Sequence, residues 1–305
     1  MNKTVEKILN TIADMKDTPK GAYNIRVNGE SIGRSNSDNV QIKSKEDKPG
    51  IDIIIKPGTK NEMVHIPVVV NASGLEDMVY NDFYIGADSD VHIVAGCGIH
   101  NDGNHLSQHD GIHTFHVGEN AKVTYVEKHY GEGEGTGKKV LNPETIVNLE
   151  KNSCLEMETV QIEGVDNTNR VTSGKCEDGA SLIIKEKLMT SGNQTAITRF
   201  DVDLDGEESS ADVVSRSVAK GNSKQEFLSA ISGNNQCNGH SECDAIIMDE
   251  AIVTAIPELT ANNIDAALIH EAAIGKIAGE QLIKLMTLGL TEEQAEREII
   301  NGFLS

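Results

Sequence analysis

The residues best suited to chemistry lie in the last fifth of the chain, where a thiol, an imidazole and a carboxylate occur close together. Cys243 is followed by His270-Glu271, and Cys237 and His240 precede it in a C-x2-H-x2-C pattern. Thiolate, imidazole and carboxylate groups are the ligands that zinc and iron take in proteins. The segment therefore predicts a metal site. The competing interpretation is a buried cysteine beside ordinary surface histidines.

A second concentration of metal-ligating residues surrounds Cys97, which lies between Gly96 and Gly98. Imidazole binds zinc, iron and copper, but the histidines in this region follow no spacing typical of a metal site. Two interpretations stay open, a secondary metal site or histidines on the surface of strands. The side chains proposed for such a site are His100, His105, His109 and His113.

The composition describes a strongly acidic chain. Its 305 residues carry a formal net charge of −21. Binding to phosphates needs clustered Lys and Arg, so nucleic acid and an anionic membrane surface are disfavoured as partners. The five cysteines include no CxxC pair, and neither an apolar signal segment nor a membrane-spanning run of about 20 residues occurs. We expect a cytoplasmic protein with free thiols.

The middle of the chain repeats a unit made of a polar turn, a small residue, a variable residue and a strand that begins with an aliphatic residue. The strands begin at 91, 123, 155, 182 and 213. A near-constant period without intervening helices is typical of stacked coils. We predict an all-β, parallel β-helix over 21–277, with a β-sandwich as the alternative. The small residues of successive repeats are predicted to form one column: Ser89, Ala121, Ser153, Ala180, Ala211 and Cys243.

This alignment separates Cys97 from Cys243 by about five rungs. At roughly 4.8 Å per rung the separation is about 24 Å. A disulfide needs Cα atoms within about 7 Å, so the two cysteines are not expected to be bonded.

Helical patterns are confined to the two ends of the chain. Apolar spacing predicts one amphipathic helix over 4–15, within the segment 1–20. The segment 278–305 predicts a helix that ends at Gly289 and a second helix that starts with the capping box Thr291-Glu292-Glu293-Gln294. The acidic second helix disfavours a DNA-binding helix-turn-helix. The hairpin offers an apolar surface to a partner through Leu282, Leu285 and Met286.

The C-terminal motifs resemble those of the SufB/SufD family, whose members are scaffold subunits for iron–sulfur cluster assembly. The resemblance covers the chain from about residue 85 to its end. The residues that carry it are Gly96-Cys97, Ser241-Glu242-Cys243-Asp244, His270-Glu271-Ala272, Glu280-Gln281-Leu282 and Ile300-Asn301-Gly302-Phe303.

The resemblance implies a right-handed parallel β-helix whose C-terminal helical hairpin docks a SufC-like ABC-type ATPase. It implies that Cys243, His270 and Glu271 hold a transient iron–sulfur cluster at a dimer interface. It also implies that Cys97 accepts sulfur from a donor such as a cysteine desulfurase system. ATP would act only through the partner, and the chain itself is expected to be a scaffold and not an enzyme.

The chain departs from the family pattern in two respects. Little helical sequence precedes its β-rich body, and Ile269 stands where some SufB chains have a second acid. One chain then offers three ligands, fewer than the four of a two-iron cluster, and two-fold symmetry doubles the set. A short, SufB-like homodimer is the simplest interpretation. The alternative is a non-enzymatic β-solenoid that binds zinc or iron; a carbohydrate-active β-helix is disfavoured because aromatic residues make up only 3 %.

Overall fold

The alternation of apolar and polar residues gives each strand an inner and an outer face. The structure is a computed structural model that describes residues 2–305. Within 181–190, Leu182 and Ile184 are buried, whereas Lys185 is exposed. Successive side chains of a strand point to opposite faces, so one face of each strand is available to build a core.

About 58 % of the residues lie in strands, and the strands wind into a parallel β-solenoid of about eight turns. This confirms the predicted β-helix with helices at both ends. In chain order the elements are α1 (Lys3–Ala13), β1 (Ala22–Val27), β2 (Glu30–Ser35), β3 (Val40–Ser44), β4 (Gly50–Ile55), β5 (Lys60–Val70), β6 (Glu76–Ile85), β7 (Asp90–His100), β8 (Ser107–Val117), β9 (Lys122–Glu132), β10 (Lys139–Leu141), β11 (Glu144–Leu149), β12 (Cys154–Glu163), β13 (Asn167–Cys176), β14 (Ser181–Thr190), β15 (Thr195–Leu204), β16 (Ser210–Ala219), β17 (Lys224–Gly233), β18 (Asn238–Ile247), β19 (Ile252–Ala261), β20 (Ala267–Gly275), α2 (Gly279–Thr287) and α3 (Glu292–Leu304).

Successive strands of the solenoid alternate between two sheets. The first sheet has the order β2-β1-β5-β7-β9-β12-β14-β16-β18-β20. The second has the order β19-β17-β15-β13-β10-β8-β6-β4-β3, and β11 follows β10 between β8 and β13. The pairs β1–β2 and β3–β4 are antiparallel and close the N-terminal end.

The column of small residues runs differently from the prediction at its C-terminal end. Stacked positions are 32 residues apart in the early coils, but 29 and 28 apart in later ones. The column therefore continues from Ala180 to Ser209 and Cys237. The predicted continuation through Ala211 and Cys243 was wrong because the coils shorten. An even-numbered register shift keeps a side chain on its face, so Cys243 still points inward.

Aliphatic side chains fill much of the space between the sheets, with one small aromatic layer. Phe83 and Phe115 stack with ring centroids 4.3 Å apart, and Tyr125 meets Phe115 edge-on at 5.0 Å. Because equivalent positions of successive coils stack, each inner side chain is covered by its neighbours in the next coils. A core of this kind needs few large rings.

Helix α1 lies on the outer face of the first sheet, over β7. Two glycines of β7 allow this close approach. A Cβ at Gly98 would lie 2.1 Å from Cγ2 of Ile8, and a Cβ at Gly96 would lie 2.8 Å from the backbone oxygen of Ile12. The helix therefore covers the outer face of the strand that carries Cys97.

The C-terminal end of the solenoid is open. Strands β19 and β20 each have one edge without a pairing strand among residues 2–305. Leu268 and His270 occupy inner positions of β20 but are only half-buried. Helix α3 packs Ile300 and Leu304 against Val218 at the end of β16, whereas α2 has no buried residue.

The capping box at the start of α3 is present. The Thr291 hydroxyl accepts from the backbone of Gln294, whose side chain accepts from the backbone of Thr291. None of the helices described in the chain is long and apolar enough to cross a membrane.

Candidate functional site

Cys243 and His270 lie on the inner face of the last two strands of the first sheet. Strand β18 pairs with β20 so that Ser241 is beside His270 and Cys243 is beside Ala272. Cys243 is buried, and His270 is half-buried because no further coil covers β20. Nδ1 of His270 is buried and has no hydrogen-bond partner in the described structure. The two side chains share one face, and a ring nitrogen remains available to a ligand.

The Cys243 thiol is protonated in this environment. Burial, together with the nearby carboxylates of Glu186 and Asp244, raises the pKa of the thiol to about 12. A cation bound at the sulfur would favour the thiolate and reverse this effect. The site therefore suits a thiol that ionises when a metal arrives.

Glu271, the third predicted ligand, lies on the outer face of β20. Together with His240 and Glu242 it forms an outer triad, whose ligand atoms lie within 4.8 Å of one another. It is the one such group of three metal-ligating side chains found within residues 2–305. Oδ1 of Asp212 lies 2.8 Å from Nδ1 of His240, and Oε2 of Glu271 lies 3.7 Å from Nε2. A carboxylate on one ring nitrogen orients a histidine whose other nitrogen binds metal.

The C-x2-H-x2-C pattern does not form one site. Cys237 and Cys243 are buried, whereas His240 lies on the outer face of β18. Six residues of extended chain place the two cysteines about 20 Å apart. Strand geometry therefore divides ligands that a compact turn would have brought together.

Cys97 points to the interior of the solenoid from β7 and is buried. A cavity of about 10 Å³ lies beside it, and its walls include His109, His113, Glu127 and His129. This volume is close to that of one water molecule. Burial, and then the charge of Glu127, raise the pKa of the Cys97 thiol well above its ordinary value.

Polar side chains continue from this cavity toward Cys243. They stack at one position of successive strands in the first sheet, and we call them the inner polar column. In order, its members are Glu127, Thr159, Glu186, Ser215 and Cys243. Five strand pairings separate the strands of Cys97 and Cys243, so the cysteines are about 24 Å apart along the solenoid axis.

Arg170 of the second sheet connects the charged members of the column. Its guanidinium donates to Glu127 at 2.6 Å and lies 3.9 Å from Glu186. Burial opposes ionisation of Glu127, but His129 and Arg170 outweigh it and hold the pKa of that carboxyl well below its usual range. Burial raises the pKa of Glu186, which accepts a hydrogen bond from Ser215 at 2.6 Å. Buried polar side chains thus run from the Cys97 cavity to Ser215, which stacks on Cys243, although the hydroxyl of Thr159 within this column has no hydrogen-bond partner among residues 2–305.

The four histidines proposed as a secondary metal site do not lie together. His109 and His113 are buried between the sheets, whereas His105 is exposed. His100 lies near the surface, with its ring nitrogens 3.2 Å from Glu132 and 2.9 Å from an aspartate. Burial lowers the pKa of His113 to about 4, so this imidazole is neutral. His109 and His113 share the inner face of β8, whereas His100 ends β7 and His105 lies in the loop between these strands.

The residues predicted to bind a partner lie on α2. Leu282 and Leu285 are half-buried and Met286 is 42 % exposed. Ile283 and Leu288 extend the apolar surface and are more exposed, at 63 % and 77 %.

The inner polar column was not predicted from the sequence, although a signal was present. In Ile184-Lys185-Glu186-Lys187-Leu188, apolar residues at alternate positions mark the inner face of a strand. Glu186 stands at an inner position of this pattern. A charged residue in such a place indicates either a buried partner or a functional role.

Comparison with known proteins gives a consistent result. Residues 70–303 match the family model described as "SUF system FeS cluster assembly, SufBD core domain". An iron-sulfur cluster assembly SufBD family protein of Pyrococcus horikoshii is 28 % identical, over 92 % of this chain and 86 % of its own length. One from Archaeoglobus fulgidus is 28 % identical, over 85 % of this chain and 69 % of its own.

A SufBD family protein of Methanothermobacter thermautotrophicus is 27 % identical over 72 % of this chain. The match spans about half, 53 %, of that relative's length. The family model, which spans residues 70–303, covers well over half of the chain. The chain therefore belongs to the SufBD family of iron–sulfur cluster assembly proteins.

Proposed function

We propose that this chain is a scaffold on which a nascent iron–sulfur cluster is built at the open end of the solenoid. The observation that carries the proposal is the common inner face of Cys243 and His270 on adjacent strands, with a buried nitrogen of His270 that lacks a partner. Iron and sulfide are the substrates. The chain holds them and does not itself catalyse a reaction.

A second copy of the chain would complete the ligand set. The uncovered edges of β19 and β20 favour pairing with another strand. Apolar residues are exposed on these strands, with Ile252 at 52 %, Ile256 at 49 % and Ile269 at 57 %. A two-fold dimer formed here would bring two copies of Cys243 and His270 toward each other.

Sulfur would enter at Cys97, supplied by a donor such as a cysteine desulfurase system. The inner polar column is the proposed connection from Cys97 to Cys243. Glu127, Arg170 and Glu186 keep this path polar and charged inside a core that is largely aliphatic. Such a path suits a small polar sulfur species better than an aliphatic core does.

The ATPase partner would bind at α2. This helix has no buried residue, and its exposed Ile283 and Leu288 provide an apolar surface. Helix α3 packs on Val218 at the end of β16, two strands from β20 in the first sheet. Movement of the helical hairpin by a SufC-like ABC-type ATPase would thus be passed to the strands of the cluster site.

Anaerobic reconstitution with iron and sulfide tests the proposal. Wild type is compared with Cys243→Ala, His270→Ala and, as a matched control, Cys154→Ala, because Cys154 is a half-buried cysteine on the outer face of β12. We expect oxygen-sensitive iron and sulfide in wild type and in the control, with at least a tenfold loss in the other two variants. Full cluster content in both Cys243→Ala and His270→Ala would refute the site.

The outer triad favours a second function, the binding of zinc or iron without sulfide. His240, Glu242 and Glu271 offer one nitrogen and carboxylate oxygens, a set that suits divalent metals. Metal bound without sulfide, and lost in Glu271→Gln but retained in Cys243→Ala, would support this function instead of the scaffold.

A further inference from the structure

A cleft lined by four cationic side chains lies at the N-terminal end of the solenoid. Its volume is about 340 Å³, within the range of small-ligand pockets. No acidic residue of the described chain is among those that line it, although the whole protein carries a net charge of −21. The cations that line it are Arg26, Arg34, Lys45 and Lys48.

Two of these cations are paired with carboxylates outside the cleft lining. Arg26 donates to both carboxylate oxygens of Asp77, at 3.0 and 2.7 Å. Lys45 contacts Asp52 and lies 2.7 Å from Asp82. These pairs fix the walls of the cleft, and their charges are largely compensated.

The other two cations have no carboxylate partner in the described structure. Arg34 donates through Nε to Oδ1 of Asn24 at 2.9 Å and through a terminal nitrogen to the Ser44 hydroxyl at 2.9 Å. The ammonium of Lys48 lies 4.3 Å from the centroid of the Tyr80 ring. Neutral acceptors hold the guanidinium in place without cancelling its charge, and they use only some of its five donors.

The cleft borders the Cys97 cavity. Ile66 and Val68 line both spaces, so the thickness of these side chains separates them. A polar connection runs beside this wall, because Asp77, the partner of Arg26, also lies 3.1 Å from His109 of the cavity. A ligand in the cleft would therefore lie next to the proposed sulfur acceptor.

We propose that this cleft binds a small oxyanion that carries sulfur, with thiosulfate as the probe. The proposal rests on the proposed function of Cys97. Arg34 and Lys48 supply the uncompensated charge, and Asn24 and Ser44 hold Arg34 in its orientation. Cluster assembly from free sulfide does not require the cleft. Failure of anion binding can therefore be distinguished from failure of the proposed scaffold function.

Isothermal titration calorimetry of the full chain with thiosulfate tests the binding. Sulfate serves as the comparison ligand, because it is an oxyanion without transferable sulfur. The variants are Arg34→Gln and Lys48→Met, with Arg199→Gln as the control, because Arg199 lies on the outer face in a pair with Asp201. Charge-assisted hydrogen bonds predict that Arg34→Gln weakens thiosulfate binding at least tenfold. Lys48→Met should weaken it less, and Arg199→Gln should leave it unchanged.

Three results would overturn the proposal: no thiosulfate binding by wild type, equal binding by wild type and folded Arg34→Gln, or binding of sulfate alone. Far-ultraviolet circular dichroism establishes that each variant is folded. Normal reconstitution of Arg34→Gln from free sulfide, combined with its loss of thiosulfate binding, is the expected result.

Discussion

Arg170 provides the most demanding test of the inner polar column. Its side chain is 3 % exposed and lies 2.6 Å from Glu127 and 3.9 Å from Glu186. The substitution Arg170→Met retains much of the side-chain volume but removes the cation that two buried carboxyls, Glu127 and Glu186, share. Breaking a buried ion pair costs about 3–5 kcal/mol, because the remaining charge stays desolvated.

For a chain of 305 residues, an unfolding entropy of about 2.1 cal/mol/K per residue converts this cost to a fall in Tm of about 5–8 °C. The assay is thermal and urea unfolding of the apoprotein. The double variant Glu127→Gln/Arg170→Met also removes the carboxylate charge of Glu127, the closest partner of Arg170. We therefore expect the double variant to be more stable than Arg170→Met alone.

The matched control is Lys185→Met. Lys185 lies 2.6 Å from Glu156, but the two side chains are 52 % and 41 % exposed, so the expected loss is below about 1 kcal/mol. If Arg170→Met were no less stable than this control, or if the double variant were no more stable than Arg170→Met, the column would not be an ionised buried network.

Three further predictions concern other parts of the molecule. Gly98→Ala brings a Cβ within 2.1 Å of Ile8 and should detach α1, seen as faster hydrogen exchange of that helix, whereas Gly275→Ala meets no atom within 4 Å and should have no such effect. Burial lowers the pKa of His113 from 6.5 to about 4, so the unfolded chain binds a proton at this residue before the folded chain does as the pH falls. The free energy of unfolding should therefore decrease as the pH falls from 6.5 to about 4. Urea titrations at several pH values measure this dependence, which His113→Gln should flatten. Thr291→Ala removes the capping box of α3 and should cost about 1 kcal/mol, measured as increased exchange at the start of α3 with an unchanged rate in α1.

Much of the architecture is readable in the sequence because stacked coils repeat their chemistry. The recurrence of small residues and aliphatic strand starts from Ser89 to Ala180 predicted the solenoid, and the capping box at Thr291 predicted the start of α3. The alignment of the coils that follow Ala180 could not be predicted in the same way. A coil can lose a few residues in its turn without changing the strand pattern, so small residues near the correct position satisfy the repeat equally well.

The sequence alone identified Cys97, Cys243, His270 and Glu271 as candidate site residues, and the motifs around them, together with those of the C-terminal helices, indicated the family. Only the tertiary structure decided which of them share a face. In a strand, adjacent residues point to opposite sides, so His270 joins Cys243 inside, while Glu271 joins a histidine and a glutamate outside.

The tertiary structure also decided which distant residues meet. Arg170 and Glu127 are 43 positions apart in sequence, yet they form a direct hydrogen bond across the two sheets. Strand periodicity indicates that each side chain points inward, but the contact depends on how the second sheet stacks against the first. The local sequence therefore indicates which side chains of a strand point inward. The stacking of the two sheets determines which of these side chains contact one another.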